Sequence, residues 1–271
     1  MNTPYSPSLS HKEVSETISQ LGIKKSNTKI WQLLILGILA GLYIGFGGQL
    51  FLVTLASGMG KVAGGVMFSV GLILVVVAGA ELFTGNVTIL IGVLSTVISK
   101  RRMLKNWVVV YIGNFIGSVI LAWLVYKTGL LGKAGALNDL GTLSVNVAEY
   151  KLAIPFFQAF IRGIFCNILV ILAIIMAIMA KDIASKILCI IFPIACFVAC
   201  GFEHCVANMY LIPLGLLAKG IPLYKTFVMF DNLIPVTLGN IVGGVFILTI
   251  HPNRIRQIGT LFKKSHPDIR K

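Results

Sequence analysis

Ten residues, Gly201 to Tyr210 (GFEHCVANMY), bring Glu203, His204 and Asn208 together inside an apolar run from about Ile187 to Ala218. Histidine is the side chain whose ordinary titration range straddles neutral pH, so it can donate to an anion or hand it a proton. An ionisable group inside a run long enough to cross a membrane is costly and marks a functional site by default. The structural alternative is a packed His and Glu satisfied by backbone. A second segment repeats the pattern: Gly79 to Asn86 reads GAELFTGN, and Gly79, Glu81 and Asn86 precede Gly201, Glu203 and Asn208 by 122 positions each. Between them Thr84 offers a hydroxyl that either steers a ligand or bonds back to its own helix. Cys205 adjoins His204, but neighbours on a helix do not face each other. The five cysteines also lack a close pair with ligand spacing and read as small buried hydrophobes. No catalytic residue, metal site or cofactor is expected.

The elements that position these groups repeat as well. Ala40-Gly41 and Gly45 fall opposite Arg162-Gly163 and Asn167 at the same offset of 122, and Gly113-Asn114 and Gly117 fall opposite Gly239-Asn240 and Gly243 at 126. Their collinear order indicates an internal duplication. In such a plan Glu81 and Glu203 accept bonds from backbone N–H groups or polar side chains and fix the segments around them, with a proton relay as the alternative. Asn86, Asn114, Asn208 and Asn240 read as polar glue. Lys151 is either a lysine snorkelling to the interface or an electrostatic lure for anions, and Arg162, deeper in its run, must pair or reach a mouth.

The chain is 57% hydrophobic and 12% charged with mean hydropathy +0.93, and its apolar runs exceed the ~20 residues needed to cross hydrocarbon. It reads as an all-α integral membrane protein. Residues 1–29 form a polar N-terminal segment with a short amphipathic helix around Leu9 to Leu21. Residues 30–250 form the transmembrane domain, with one repeat at about 30–126 and a second at about 154–250, and 251–271 form a basic tail. Two runs, Val62 to Ser99 and Ile187 to Ala218, are too long for one straight helix and too short for two, so helices 2 and 5 of six are expected to be broken. The first break falls near Phe68 to Gly71 or near Gly79. With six crossings, 16 of the 23 Lys and Arg lie on the side of the termini, six lie opposite, and Arg162 is within a span. The positive-inside rule then puts both termini in the cytoplasm of a multi-pass cell inner membrane protein, with the two three-helix repeats inverted. The net charge of +14 therefore reflects topology rather than nucleic-acid binding. Two broken helices leave free N–H groups and positive dipole ends near the bilayer centre, a favourable place for an anion.

GAELFTGN at Gly79, the segment around Asn114, RGIFCN at Arg162 and GFEHCVANMY at Gly201 resemble the formate/nitrite transporter family over nearly the whole chain. The resemblance implies a homopentamer of aquaporin-like six-helix protomers in membrane lipid, each with its own pore for a small monovalent anion or its protonated acid. It assigns His204, Thr84, Asn167 and Lys151 to the central pore. An apolar constriction falls at Phe68 and Phe197, and a cytoplasmic gate at Leu72, Leu82 and Phe83. Glu81, Glu203, Asn86 and Asn208 remain structural polar groups. The overall look is nearest the hydrosulfide branch, with formate or nitrite as alternatives and a neutral-solute, aquaporin-like channel as the reading of another class. Passage as the bare anion and passage as the neutral acid both stay open.

Overall fold

The computed structural model describes residues 8–250; the tail expected at 251–271 and the start of the N-terminal segment lie outside the described residues. Helix α1 (His11–Asn27) begins with a capping box. The Ser10 hydroxyl accepts from the Glu13 N–H at 3.3 Å while the Glu13 carboxylate accepts from the Ser10 N–H at 2.7 Å, satisfying two otherwise orphaned donors. Val14 and Ile18, one turn apart, are fully buried beneath it. The amphipathic helix expected around Leu9 to Leu21 is present and continues to Asn27.

Five helical stretches among the described residues are long and apolar enough to cross a membrane: α2 (Ile30–Ala56), α3 (Gly60–Gly79), α5 (Lys100–Lys127), α7 (Phe156–Met179) and α10 (Leu223–Thr249). The fold is an all-α, multi-pass membrane architecture. The long run at 187–218 is not one continuous helix. It forms two shorter helices, α8 (Ile183–Ala199) and α9 (Cys205–Ala218), joined by residues 200–204. Likewise α3 is followed by α4 (Phe83–Leu94) across residues 80–82. The long polar connection after α5 carries a hairpin, β1 (Gly132–Lys133) and β2 (Ala136–Leu137), and the helix α6 (Asp139–Leu152).

Glycine sets both breaks. Gly79 has φ of 88° and Gly201 of 74°, a left-handed conformation that a side chain disfavours. The first break lies at Gly79, not at Phe68 to Gly71. It follows a widened turn over Leu74–Gly79, where the Ala80 N–H reaches back to the Val75 carbonyl at 3.0 Å. Such π turns recur at functional sites.

The core is built from two matched helix pairs, α2 with α5 and α7 with α10. Glycines let the backbones touch, as small residues do in membrane interfaces. A Cβ on Gly37 would meet the Val110 carbonyl at 3.1 Å, and one on Gly163 the Val236 carbonyl at 2.7 Å. A Cβ on Gly117 would strike the Ile38 carbonyl, and one on Gly243 the Ile164 carbonyl. Each contact recurs 126 positions later. This corrects the sequence register for the first helix: Gly163 matches Gly37, not Gly41, and Asn167 matches Gly41, not Gly45. The error is four residues, about one helical turn, a shift that leaves a stripe of small residues superimposable on itself.

Cysteine burial also differs from expectation. Cys166 and Cys205 are buried, Cys189 is partly buried, and Cys196 on α8 and Cys200 just past its end are exposed. The outer face of a membrane protein is as apolar as its core, so hydrophobicity alone does not sort thiols between them. Trp31, Phe157, Phe192 and Phe227 are each more than half exposed on that face, which suits contact with lipid or a neighbouring subunit.

Candidate functional site

Each break is held by the same set of bonds. At the first, the Glu81 N–H donates to the Leu36 carbonyl of α2 at 3.2 Å; at the second, the Glu203 N–H donates to the Arg162 carbonyl of α7 at 3.3 Å. Asn114 on α5 donates to the carbonyls of Gly37 (2.8 Å) and Glu81 (2.9 Å) and accepts from the Phe83 N–H at 2.9 Å. Asn240 on α10 does the same for Gly163, Glu203 and the Cys205 N–H, at 2.8, 2.9 and 2.9 Å. One amide side chain thus straps helix, break and the following helix start. The backbone groups freed by the break would otherwise go unpaired in an apolar interior.

The carboxylates are neutralised by lysines on the two short amphipathic helices. Lys25 of α1 donates to Glu81 and to the Asn86 side-chain carbonyl, both at 2.9 Å. Asn86 donates to Glu81 (2.7 Å) and Asn106 (2.8 Å), and Asn106 closes the ring on the Lys25 carbonyl at 3.1 Å. In the second half Lys151 of α6 donates to both Glu203 oxygens at 2.9 Å. Asn208 donates to Glu203 (2.6 Å) and Asn232 (2.7 Å), and Asn232 returns to the Lys151 carbonyl at 2.8 Å. The glutamates therefore accept from lysine and asparagine side chains rather than from backbone. Lys151, expected as an anion lure or an interface lysine, is an ion-pair partner.

The centre breaks this symmetry. His204 corresponds to Leu82, Thr84 to Val206 and Asn167 to Gly41. His204 caps α9: its Nδ1 accepts from the Ala207 N–H at 3.1 Å, and its Nε2 lies 2.9 Å from the Thr84 hydroxyl. A backbone N–H can only donate, so Nδ1 is unprotonated and the ring proton sits on Nε2, donating to Thr84. Asn167 donates to the Asn240 carbonyl at 2.6 Å and the Thr84 carbonyl at 3.4 Å, and its own side-chain oxygen is buried without a partner. There is room for it because Gly244 stands beneath, where a Cβ would lie 2.8 Å from the Asn167 amide nitrogen. In the other half the sizes are exchanged: Ser118 occupies the place of Gly244 and donates to the Gly41 carbonyl at 3.2 Å.

Two cavities flank this centre. One of about 300 Å3, opposite α1, reaches Phe68, Phe197, Lys151, Glu203 and His204. Phe68 packs edge-on against Phe197 with ring centres 5.7 Å apart, and Phe197 faces the His204 ring at 6.0 Å with the planes 26° apart. The other, about 960 Å3, opens beside α1 and reaches Leu72, Leu82, Glu81, Asn86 and Lys25. Phe83 lines neither cavity; its ring packs edge-on against Tyr111 at 4.9 Å and Trp107 at 6.2 Å. Thr84 and Asn167 are fully buried between the cavities.

Sequence reasoning missed Lys25, Asn106 and Asn232 as members of the polar rings. Adding 126 to Lys25 gives Lys151, and adding it to Asn106 gives Asn232, so the offset found for Gly113 and Gly239 was the signal. Arg162 meets the Tyr150 hydroxyl at 2.7 Å and lies over its ring, so of the two expected outcomes it finds a partner. No cluster of three or more His, Cys, Asp or Glu able to hold a metal occurs among the described residues.

Comparison with known proteins gives a consistent result. A family profile described as formate/nitrite transporter matches residues 12–252. The chain is 39% identical to a probable formate transporter of Methanothermobacter thermautotrophicus, over 88% of this chain and 94% of that protein. It is 38% identical to the formate channel FocA of Haemophilus influenzae, over 71% of this chain and 73% of that one. Among solved structures, a pentameric formate channel with formate bound aligns with TM-score 0.70 and 35% identity, over 86% of this chain and 98% of that chain. An FNT family ion channel aligns with TM-score 0.74 and 32% identity, over 86% and 93%.

Proposed function

The chain belongs to the formate/nitrite transporter family, and from that premise we propose that it is a pentameric small-anion channel whose substrate is formate. The observation that carries the reading is the likeness, over most of both chains, to a channel solved with formate bound. Formate replaces the hydrosulfide preference suggested by the overall look of the sequence: the relatives reported above are described as formate channels or transporters. The family is one of channels and transporters, and the chain is not an enzyme.

The protomer is a six-crossing inverted repeat in which α8 and α9 together make the fifth crossing and α3 with α4 the second. Contacts recurring at offsets of 122 and 126 across both breaks support this plan, and the excess of Lys and Arg beside the termini supports a cytoplasmic location for both ends. Residues that obey the repeat, namely the two lysines, two glutamates and six ring and strap asparagines, hold the breaks. Residues that violate it, His204, Thr84 and Asn167, handle the substrate.

Phe68 and Phe197 form a dry ring beside His204, where a bare anion loses its hydration. Passage as the neutral acid avoids that cost. The single His204 Nε2–H, directed by the cap on Nδ1, turns from the Thr84 hydroxyl to a carboxyl oxygen when the substrate arrives. The orphan oxygen of Asn167 is an acceptor for an acid O–H. Leu72 and Leu82 close the other side.

The test is initial flux of formate, nitrite, hydrosulfide, lactate and chloride into proteoliposomes at about pH 5.5 and about pH 7.5. Formate flux that exceeds the others and rises as pH falls supports the reading. Equal, slow flux of all five would sink it, and selective hydrosulfide flux would restore the alternative.

A further inference from the structure

We infer that Lys61 is the residue that draws anions into the cavity opposite α1, a recruiting role that Lys151 cannot fill alone. Both lysines line that cavity, together with Glu203. Lys151 is bound at 2.9 Å to both oxygens of the nearly buried Glu203, so its charge is cancelled at short range and the pair presents little field to an approaching ion. Lys61 has no acidic partner among the described residues and is exposed at the cavity rim. The net positive charge of the cavity lining is therefore that of Lys61.

Other cations near that side lie outside the cavity lining: Lys133 is in β1, and Arg162 donates to the Tyr150 hydroxyl of the cavity wall without lining the cavity itself. Lys219 pairs with Glu149 at 2.6 Å, Lys127 lies over Trp123 and Tyr126, and Lys225 over Tyr224. None of these three lines the cavity.

The placement of Lys61 also runs against helix economy. It is the second residue of α3, whose start has no acidic residue and no side-chain cap. A cation at the positive end of a helix is unfavourable. The corresponding helix of the second half, α8, starts in the ordinary way with Asp182 accepting from the Ser185 N–H at 2.8 Å, and the position 122 after Lys61 is Ile183. Lys61 thus breaks both the capping rule and the repeat, as the central residues do, and it does so at a cavity mouth. Local rules are commonly violated where function requires it. The uncapped helix start adds its own partial positive charge to the same spot, and a cavity with low-dielectric walls concentrates that field.

This inference concerns attraction and rests only for its flux arm on formate as substrate. In proteoliposomes at roughly 10 mM ionic strength, Lys61→Gln should raise the formate concentration giving half-maximal influx by about three-fold and leave maximal influx unchanged. Lys61→Arg should restore it, and about 0.5 M salt should erase the difference. A second arm needs no substrate. Leu55, on the wall of the same cavity, is replaced by cysteine, and its modification is followed by peptide mass spectrometry, which separates it from the native thiols. The rate ratio for sulfonatoethyl over trimethylammonioethyl methanethiosulfonate should fall about three-fold or more when Lys61→Gln is added. An unchanged ratio, or a flux loss confined to the maximal rate and insensitive to salt, overturns the inference. Absence of formate flux in the unmodified protein would defeat the formate reading, while the thiol arm would still decide Lys61.

Discussion

Lys151 places its ammonium on both oxygens of Glu203, whereas Lys25, its counterpart 126 positions earlier, divides its bonds between Glu81 and the side-chain carbonyl of Asn86. The matching carbonyl of Asn208 is consequently buried without a donor. The second pair is also drier, with side-chain exposures of 12% and 3% against 24% and 12% for the first. The same four-residue ring is therefore a tighter ion pair at one break than at the other.

Removing one partner of a buried pair leaves an uncompensated charge, at a cost of about 3–5 kcal/mol. Lys151→Met should therefore lower stability by about that amount, and Lys25→Met by clearly less because water reaches Glu81. Adding Glu203→Gln to Lys151→Met should recover most of the loss. Denaturant unfolding in detergent measures all three, and equal losses at the two breaks would contradict the asymmetry.

The Asn167 site depends on the absence of a side chain at position 244. Gly244→Ala should push Asn167 off the Thr84 and Asn240 carbonyls and cost about 1–3 kcal/mol through overpacking. Formate flux should fall more than in Gly117→Ala, which crowds the Ile38 carbonyl of α2 rather than Asn167. A similar flux for the two variants, at similar loss of stability, would remove Gly244 from the site.

His204 has two tasks that substitution separates. Asparagine is a good N-cap, so His204→Asn should keep α9 within about 1 kcal/mol, while His204→Ala should lose about 1 kcal/mol with the cap. Both remove the Nε2–H and should cut formate flux by at least about ten-fold, the loss of a hydrogen bond in a dry site being worth about 1.5 kcal/mol or more. Full flux in His204→Asn would reduce the ring to a cap.

Phe197 joins Phe68 to His204 in one packed file. Phe197→Ala should open the dry ring to water and weaken discrimination against chloride, whose conjugate acid does not form near neutral pH. It should also flatten the rise of formate flux with acidity. Unaltered chloride exclusion, measured by the same flux assay, would move selectivity to another ring.

The breaks were legible because a duplicated chain prints its special residues twice. Glycine at a left-handed turn and a carboxylate in an apolar run are conspicuous, and Gly79-Glu81 against Gly201-Glu203 needed no structure. Register along the first helix was not legible: small residues recur every turn, so Gly37 and Gly41 are equally good matches for Gly163 until backbones are seen to touch. Phe83 illustrates the other limit. An aromatic beside a break reads equally as gate or core, and its place between Tyr111 and Trp107 depends on α5, which lies elsewhere in the sequence.

The sequence by itself determined that this chain crosses a membrane and repeats its special residues, an ionisable group among them, at a fixed spacing, since those properties follow from hydropathy and periodicity. Only the tertiary structure decided which groups neutralise each other. Lys25 and Lys151 sit 56 and 52 positions from the glutamates they bind, and Thr84 meets His204 across 120. Pairing over such distances is set by how the helices cross, and the strength of each pair by how far water follows it inward.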